Sequence, residues 1–407
     1  MRAILAVAIG RLVRHGIRLF RPGGGSSVPG RVAAFIYPDL LVRALKALPQ
    51  GVAVVSGSAG KSSTTKALVE IVRGHGVRVF TNPSTSNIRQ GFYSSILQFG
   101  DWRGRLKADL AILEWDEGHG AVLSNNIKPK LAVLTNVLSD QLDRFVDPDF
   151  VIEKLRTIAM NSDRVIANGN DSNLTQFLVG QPNVRYFGLS KTLQARTDAP
   201  LYALNFEASP EVELQACVTS VSERVSMKLL DQDFEFKPIG SGFPQALNTA
   251  AAILAARELV RDFDLERTVS TLEELPPVFA RDEIVQVEGK TLRLMLVQNP
   301  TSFQLNLDEL KTQPELLMIL AGTDIHDPSW LWTVDFSNLT RVDVVGGHNA
   351  HALALRLRYQ GIVVESVVEN VPEAVDKFLG ISADGVRTVL FSADGMRRMR
   401  RHLRLAK

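Results

Sequence analysis

The sequence predicts an α/β protein built on a parallel sheet, with a phosphate-binding loop at one end of its first strand. Short apolar runs alternate with segments of helical periodicity, a pattern typical of parallel sheets covered by helices. Polar residues collect directly after several of these runs, which is where such sheets bind ligands. The first clear run, residues 52–55, leads straight into a glycine-rich turn and then a helix.

The turn after this first strand has the composition of a phosphate-binding loop. Gly57 and Gly60 let backbone N–H groups turn toward an anion, and the positive end of the following helix adds to the attraction. Lys61 can reach the β- and γ-phosphates of a nucleotide, and the Ser62 hydroxyl can bind Mg²⁺. Two residues separate the glycines instead of the usual four. We predict a nucleoside triphosphate site formed by Gly57, Ser58, Ala59, Gly60, Lys61, Ser62 and Ser63.

Polar side chains also follow later strands of the predicted sheet. Further apolar runs occupy residues 77–80, 110–113, 131–134 and 165–166. Glu114 ends one of them, and Asn136 follows another. Because the carboxyl ends of parallel strands meet at one edge, we expect both residues to lie around one crevice with Lys61 and Ser62. Glu114 is then a predicted Mg²⁺ ligand beside Ser62, with a surface acid at a strand end as the alternative.

The chain divides into three segments by pattern. Residues 1–50 form a helical segment that leads into a central ATP-binding domain, predicted over residues 51–277. Within that domain, residues 188–240 change to a polar alternation that predicts a β-rich insertion. Residues 278–407 form a second α/β domain, in which strands are predicted at residues 292–297, 316–320, 342–345, 363–368 and 388–391.

Composition narrows the class of protein. The 407 residues are 45% hydrophobic and 22% charged, as in an ordinary soluble globular protein. The net charge of +2 does not indicate nucleic-acid binding. The single cysteine, Cys217, excludes an internal disulfide and a multi-cysteine zinc site, and it suits a reducing compartment. We expect a cytoplasmic protein, and we interpret Cys217 as a buried structural thiol.

Both ends of the chain carry arginine-rich helical patterns. The uncharged stretch 3–10 is too short to span a bilayer, and arginines stand where a signal cleavage site would be. One helical face there is apolar, and it contains Leu5, Ile9, Leu12, Val13 and Ile17. We expect this face to dock on the body of the protein; the alternative is peripheral contact with the anionic inner face of a membrane. The arginines of the last predicted helix are interpreted as a solvated face.

Several segments resemble motifs of the Mur ligase superfamily of ATP-dependent amide-forming enzymes. They are residues 57–64, 113–117, 134–144, 242–248 and 279–283. The resemblance implies ATP and Mg²⁺ as cofactors. It also implies that Asn248, in a motif that meets adenine in the family, and Arg281 orient the nucleotide. Ala59 departs from the asparagine that the family often has there.

Within the superfamily the chain is most similar to the MurT family, the synthetase subunits of lipid II isoglutaminyl synthases. The features are the segment 23–30, the Asp140-Gln-Leu-Asp-Arg144 stretch, Asn299-Pro300, and residues 327–336. The resemblance implies ATP-dependent amidation of the D-glutamate α-carboxylate of the lipid II stem peptide, through an acyl phosphate. MurT proteins commonly carry a four-cysteine zinc ribbon, which this chain lacks.

Amidation needs a source of ammonia. No histidine near Cys217 provides the base that a glutaminase requires. The resemblance therefore implies a partner subunit, a GatD-like class I glutamine amidotransferase. Asp327 is implied to project into that partner and complete its Cys-His pair, whereas its local context also suits a simple turn before Pro328.

Two other functions remain open at this point. The first is a Mur-type ligase that adds an amino acid or glutamate to a carboxylate acceptor; Gln141 and the segment 327–330 argue against it. The second is a nucleotide-binding scaffold subunit with a degraded site. The presence of Lys61, Ser62 and Glu114 argues against that alternative.

Overall fold

The computed structural model describes residues 1–20, 27–82, 88–137, 148–194, 211–238, 242–275, 281–297, 300–310, 312–325 and 328–405. Described residues up to Leu275 belong to one compact unit, and those from Arg281 onward belong to a second. The predicted boundary after residue 277 lies outside the described residues.

The first unit alternates helices and strands over most of its length. Its described helices are α1 (Arg2–Phe20), α2 (Val28–Ile36), α3 (Leu40–Lys46), α4 (Lys61–Gly74), α5 (Arg89–Phe99), α6 (Glu117–Ile127), α7 (Pro148–Met160), α8 (Ser172–Leu178), α9 (Lys191–Gln194), α10 (Gly242–Leu259) and α11 (Leu265–Glu274). Its described strands are β1 (Val52–Ser56), β2 (Val79–Phe80), β3 (Leu110–Glu114), β4 (Leu131–Leu134), β5 (Val165–Asn168), β6 (Val184–Leu189), β7 (Leu214–Val221), β8 (Val225–Leu229) and β9 (Gln232–Phe236).

The nine described strands of this unit form one sheet in the order β2-β3-β1-β4-β5-β6-β7-β8-β9. Pairing is parallel from β2 to β7 and antiparallel from β7 to β9. Strand β1 lies between β3 and β4 and is buried along its whole length, which explains its continuous apolar run. The predicted α/β class is confirmed, and strands β7–β9 of the β-rich interval extend the central sheet.

The second unit has a sheet of its own. Its described strands are β10 (Arg281–Val287), β11 (Lys290–Leu296), β12 (Leu316–Leu320), β13 (Arg341–Val342), β14 (Val344–Gly346), β15 (Val363–Val364), β16 (Val367–Val368) and β17 (Arg387–Phe391). Its described helices are α12 (Pro300–Glu309), α13 (Ala350–Tyr359), α14 (Val371–Leu379), α15 (Ala393–His402) and the 3₁₀ helix Pro328–Thr333. Six strands pair in the order β10-β11-β17-β12-β14-β16, and β13 pairs with β15.

Two predicted strands of this unit each divide into a pair. The run 342–345 breaks at Asp343, whose carboxylate accepts a hydrogen bond from the backbone of Leu317 and forms an ion pair with Arg341. The run 363–368 is also divided, into β15 and β16. Strand β14 pairs with β16 at the edge of the six-stranded sheet, and β13 pairs with β15 in a separate two-stranded sheet.

The N-terminal helix α1 packs with a different face from the one that its apolar pattern predicts. Its buried residues are Ala3, Ala6, Val7 and Gly10, whereas Leu5 and Leu12 are exposed. A Cβ atom at Gly10 would lie 2.6 Å from a methyl carbon of Leu97 in α5. Small residues therefore let α1 approach α5 closely. Leu5 and Leu12 face outward, and Ile9, Val13 and Ile17 are half-buried. Among the described residues, no helix is long and apolar enough to cross a membrane.

Two further side chains are placed differently from their sequence-based interpretation. Arg400, in the arginine-rich helix α15, is buried and forms an ion pair with Glu283 in β10, at 2.9 Å. The solvated-face interpretation of that helix is therefore wrong at this position. Cys217 is half-buried in β7 rather than fully buried, and partial burial raises the pKa of its thiol.

Candidate functional site

The loop between β1 and α4 depends on its two glycines. Gly57 and Gly60 have φ angles of +129° and +84°, in the left-handed region that favours glycine. A Cβ atom at Gly57 would lie 2.3 Å from the hydroxyl oxygen of Thr135, and one at Gly60 would lie 2.1 Å from Oδ1 of Asn248. Neither position has room for a side chain, so the backbone itself forms the floor of the predicted phosphate site.

The end of β4 holds this loop in shape. The backbone N–H of Ala59 donates to Oδ1 of Asn136 at 2.8 Å, and Nδ2 of Asn136 donates to the Ala59 carbonyl oxygen at 3.2 Å. The Ala59 carbonyl oxygen also accepts from Oγ1 of Thr135 at 2.7 Å. The backbone N–H of Ser58 donates to the Asn136 carbonyl oxygen at 2.9 Å. Asn136 therefore lies where the sequence predicts, with its amide engaged by the loop backbone.

A second support acts on Val137, the residue after Asn136. The buried carboxylate of Asp171, which caps α8, accepts hydrogen bonds from the backbone N–H groups of Val137 at 2.6 Å and Asn173 at 3.0 Å. Burial raises the pKa of Asp171 to about 7, although these hydrogen bonds lower it. This carboxyl group anchors the segment after β4 to the start of α8.

Lys61 begins α4 and points back over the loop. Its Nζ donates to the Gly57 carbonyl oxygen, to the Ser58 carbonyl oxygen at 3.1 Å, and to Oε1 of Glu117 at 2.7 Å. The Lys61 side chain is 13% exposed and that of Glu117 is 1% exposed. Burial lowers the pKa of Lys61, but the hydrogen bond and negative charge of Glu117, with the charge of Glu114, outweigh burial and raise it. The lysine is therefore held as a cation at the loop.

Three acidic residues lie close together at the end of β3. Glu114, the last residue of β3, is buried opposite Val55 of β1, and its backbone N–H donates to Oδ1 of Asn82 at 3.0 Å. Asp116 caps α6 by accepting from the backbone of His119. Oε2 of Glu117 is buried and makes no hydrogen bond within the described part of the chain. The site thus combines one buried ammonium group with several carboxylates.

These groups fit a magnesium-bound nucleotide. Ser62 lies in the first turn of α4 and is partly exposed. Together with Glu114 it offers a hydroxyl and a carboxylate oxygen, and Mg²⁺ commonly takes one or two carboxylates and completes its shell with phosphate and water oxygens. No cluster of three or more His, Cys, Asp or Glu that could hold a metal occurs among the described residues. A phosphate-dependent Mg²⁺ site needs no such cluster.

The structure brings most of the predicted site residues together in the first unit. Asn248, in α10, lies against Gly60 at the phosphate loop, and its predicted contact with the nucleotide stays a prediction. Arg281 begins β10 in the second unit, but its side chain lies outside the described residues, and so does the whole of Asp327. The proposed roles of these two residues also stay predictions.

Sequence reasoning missed Glu117 and Thr135. Glu117 is three residues beyond Glu114, and Thr135 directly precedes Asn136. Both follow predicted strands, so their position at strand ends was a usable signal. The local pattern could not reveal that Glu117, rather than Glu114, forms the hydrogen bond to Lys61.

Known proteins resemble the chain over most of its length. A family model for the Mur ligase middle domain matches residues 55–256, and a model for the MurT ligase C-terminal region matches residues 296–391. The chain is 26% identical to the MurT subunit of a lipid II isoglutaminyl synthase (glutamine-hydrolyzing) of Streptococcus pneumoniae, over 86% of each protein. It is 22% identical to the MurT subunit of Staphylococcus aureus, over 91% of each protein.

The fold is shared with solved Mur ligases. The MurF ligase of Thermotoga maritima, solved in complex with ADP, matches with a TM-score of 0.67 and 19% identity. That match covers 93% of this chain and 83% of the other. With its middle and C-terminal regions matched by two family models, the chain belongs to the Mur ligase superfamily of ATP-dependent ligases and carries a MurT-type C-terminal region.

Proposed function

We propose that this chain is the synthetase subunit of an enzyme that amidates the D-glutamate α-carboxylate of the lipid II stem peptide to D-isoglutamine. The main support for the proposal is the similarity of this chain, over 86% of each protein, to a subunit named for glutamine-hydrolysing lipid II isoglutaminyl synthesis. The phosphate loop and its ion pair supply the ATP-dependent half of such a reaction.

The chemistry proceeds in two balanced steps. A carboxylate oxygen of the substrate attacks the γ-phosphorus of ATP, the bond to the β-γ bridging oxygen breaks, and ADP leaves. Ammonia then attacks the carbonyl carbon of the acyl phosphate, inorganic phosphate leaves, and the nitrogen loses a proton to give the amide. Enzymes accelerate phosphoryl transfer mainly by positioning the groups and neutralising charge.

The residues of the loop fit these requirements. Lys61, held as a cation beside Glu117, offers its charge to the β- and γ-phosphates. The N-terminus of α4 and the backbone of the glycine loop offer N–H groups. Ser62 and Glu114 would hold Mg²⁺, which neutralises phosphate charge when it is bound. Asn136 keeps the loop in the shape that these contacts need.

The second unit presents an exposed aromatic surface that includes a residue from the segment following Asp327 in the sequence. Trp332, in the 3₁₀ helix that begins at Pro328, packs edge-to-face on Tyr359 with ring centroids 5.5 Å apart. Both rings are exposed, and so is Leu355 in the same helix as Tyr359. Exposed aromatic and aliphatic groups of this kind are typical of protein interfaces. This surface supports a contact between the second unit and a glutaminase subunit.

A reconstituted assay tests the proposal. The chain would be co-purified with a GatD-like glutaminase and supplied with lipid II and Mg²⁺-ATP, with either glutamine or ammonium as the nitrogen source. Mass spectrometry would detect the loss of about 1 Da that accompanies conversion of the acid to the amide. The variants would be Lys61→Ala, Asp327→Asn and, as a matched exposed acid of the second unit, Asp308→Asn.

Each variant has a distinct expected result. Lys61→Ala should abolish amidation with both nitrogen sources, because it removes the cation at the phosphates. Asp327→Asn should abolish the reaction with glutamine but keep it with ammonium, and Asp308→Asn should keep both. Use of glutamine by Asp327→Asn would refute the role of Asp327 alone. If ATP is consumed only when an amino acid is present and no D-isoglutamine forms, the chain is an amino-acid-adding ligase instead.

A further inference from the structure

The outward face of helix α1 is apolar and has no packing partner in the described chain. Leu5 and Leu12 are 54% and 73% exposed, and Ile4 beside them is also exposed. The opposite face, which contains Ala3, Ala6 and Gly10, packs against the body of the first unit. The helix therefore packs mainly through small residues and leaves Ile4, Leu5 and Leu12 exposed, whereas an ordinary amphipathic surface helix buries such residues.

Aromatic and cationic groups continue this face at one edge. The guanidinium of Arg11 lies 4.6 Å from the ring centroid of Trp102 and donates to the carbonyl oxygens of Leu97 and Gly100. These contacts tie the loop after α5 to α1. Trp102 itself is 60% exposed. Exposed tryptophans are enriched at membrane–water interfaces, where their rings lie at the level of the lipid headgroups.

The charge of this region is opposite to that of the rest of the chain. Residues 1–50 contain seven arginines and one lysine against a single aspartate, a formal net charge of +7. The whole chain carries +2, so the remaining residues carry −5. The loop that bears Trp102 adds Arg103 and Arg105, which line a cavity of about 430 Å³ together with Arg43 of α3. The positive charge of the chain is thus concentrated in residues 1–50, the segment that includes α1.

We infer that the outward face of α1, together with Trp102, is a docking surface for an anionic phospholipid bilayer. We call this surface, defined by Ile4, Leu5, Leu12, Arg11 and Trp102, the α1 face. Its leucines and tryptophan would enter the interfacial region while the arginines around them bind lipid phosphates. This inference goes beyond the proposed amidation, because it concerns a surface outside the phosphate site and needs no lipid-linked substrate.

The charge favours a bilayer over a protein as the occupant. Anionic lipids present many phosphates over a wide area and attract dispersed arginines by about 1 kcal/mol for each one near the surface. Residues 1–50 carry cations on α1, on the exposed Arg31 of α2, and on the exposed Arg43 and Lys46 of α3, so the positive charge is spread over three helices.

Vesicle sedimentation tests the inference with the full chain. The vesicles would contain phosphatidylcholine alone or with phosphatidylglycerol, without lipid-linked substrate, so the result is independent of the proposed amidation. The variants would be Leu12→Glu and Val122→Glu. Val122 in α6 is a matched control because it is 61% exposed, like the residues of the α1 face, but lies on another helix. Both positions are exposed, so both variants should fold, which circular dichroism would verify.

The inference predicts binding to phosphatidylglycerol vesicles that Leu12→Glu weakens by about tenfold or more and Val122→Glu leaves unchanged. Raising the salt concentration should weaken binding, and phosphatidylcholine vesicles should bind little. Equal binding of Leu12→Glu and the parent chain would overturn the inference. It would also be overturned if vesicles are not bound and Leu12→Glu instead disrupts a homodimer or the complex with a glutaminase, since a protein would then cover this face.

Discussion

The buried ion pair between Lys61 and Glu117 leads to a specific stability prediction. Its side chains are 13% and 1% exposed, and Nζ and Oε1 lie 2.7 Å apart. Glu117→Gln keeps the size of the side chain but leaves the ammonium ion without its nearest counter-charge. Removing one partner of a buried pair costs about 3–5 kcal/mol. We expect about 3 kcal/mol, because Lys61 keeps its bonds to two backbone carbonyl oxygens.

Calorimetric melting of the nucleotide-free protein measures this cost. In folding units of 150–250 residues, 1 kcal/mol corresponds to about 2–4 °C in Tm, so the first unit should melt about 6–12 °C lower in Glu117→Gln. Saturating Mg²⁺-ATP should recover part of the loss, because bound phosphate returns negative charge to Lys61 and a ligand stabilises the state that it binds.

An exposed ion pair provides the control. Arg224 and Glu273 lie 2.8 Å apart, but their side chains are 46% and 42% exposed. Glu273→Gln should therefore cost less than about 1 kcal/mol, since water already screens the pair. If Glu117→Gln melts within 1–2 °C of the parent chain, or no lower than Glu273→Gln, the argument that burial makes the Lys61 pair strong is wrong.

Two further predictions concern the supports behind the loop. Asn136→Ala removes both side-chain hydrogen bonds to Ala59, each worth about 1 kcal/mol, so calorimetric titration should show ATP affinity falling roughly 10- to 30-fold. The control Asn125→Ala, at an exposed amide, should leave the ATP affinity unchanged. An unchanged ATP affinity in Asn136→Ala would contradict the role of Asn136 in shaping the loop. Burial raises the pKa of Asp171 to about 7. Between about pH 4 and 7 the folded chain therefore keeps a proton on this carboxyl group that the unfolded chain has lost. The free energy of unfolding then falls as the pH rises through this range. Denaturant titrations at pH 5 and 7 should show the parent chain losing about 2 kcal/mol more than Asp171→Asn, and parallel losses would contradict the assignment.

The sequence predicted the central part of the site because its signals are local. An apolar run, a glycine turn and a helical period follow one another within residues 52–72, and each has a direct conformational meaning. Residues at the ends of adjacent parallel strands must also meet, so Asn136 could be placed beside the loop without a structure. These parts of the fold and site follow from periodicity and strand ends alone.

The remaining features depend on pairings between distant residues. Glu117 and Lys61 are 56 positions apart, and Arg400 and Glu283 are 117 apart. No local pattern shows which acid meets which base. The prediction of which face of α1 packs against the protein was wrong for another reason. Periodicity identifies an apolar face, but it does not show that alanines and a glycine on the other face permit closer packing.

Isotope transfer from the carboxylate to phosphate reports on the acyl phosphate route to the amide. Lipid II labelled with ¹⁸O in both oxygens of the D-glutamate α-carboxylate would be incubated with the chain, Mg²⁺-ATP and ¹⁵N-ammonium. We expect ¹⁵N in the product amide and one ¹⁸O atom in the inorganic phosphate for each amide formed, because the carboxylate oxygen leaves with the phosphoryl group. Amide formation without ¹⁸O in phosphate would contradict the acyl phosphate route. ATP hydrolysis with no ¹⁵N in lipid II would contradict amidation itself.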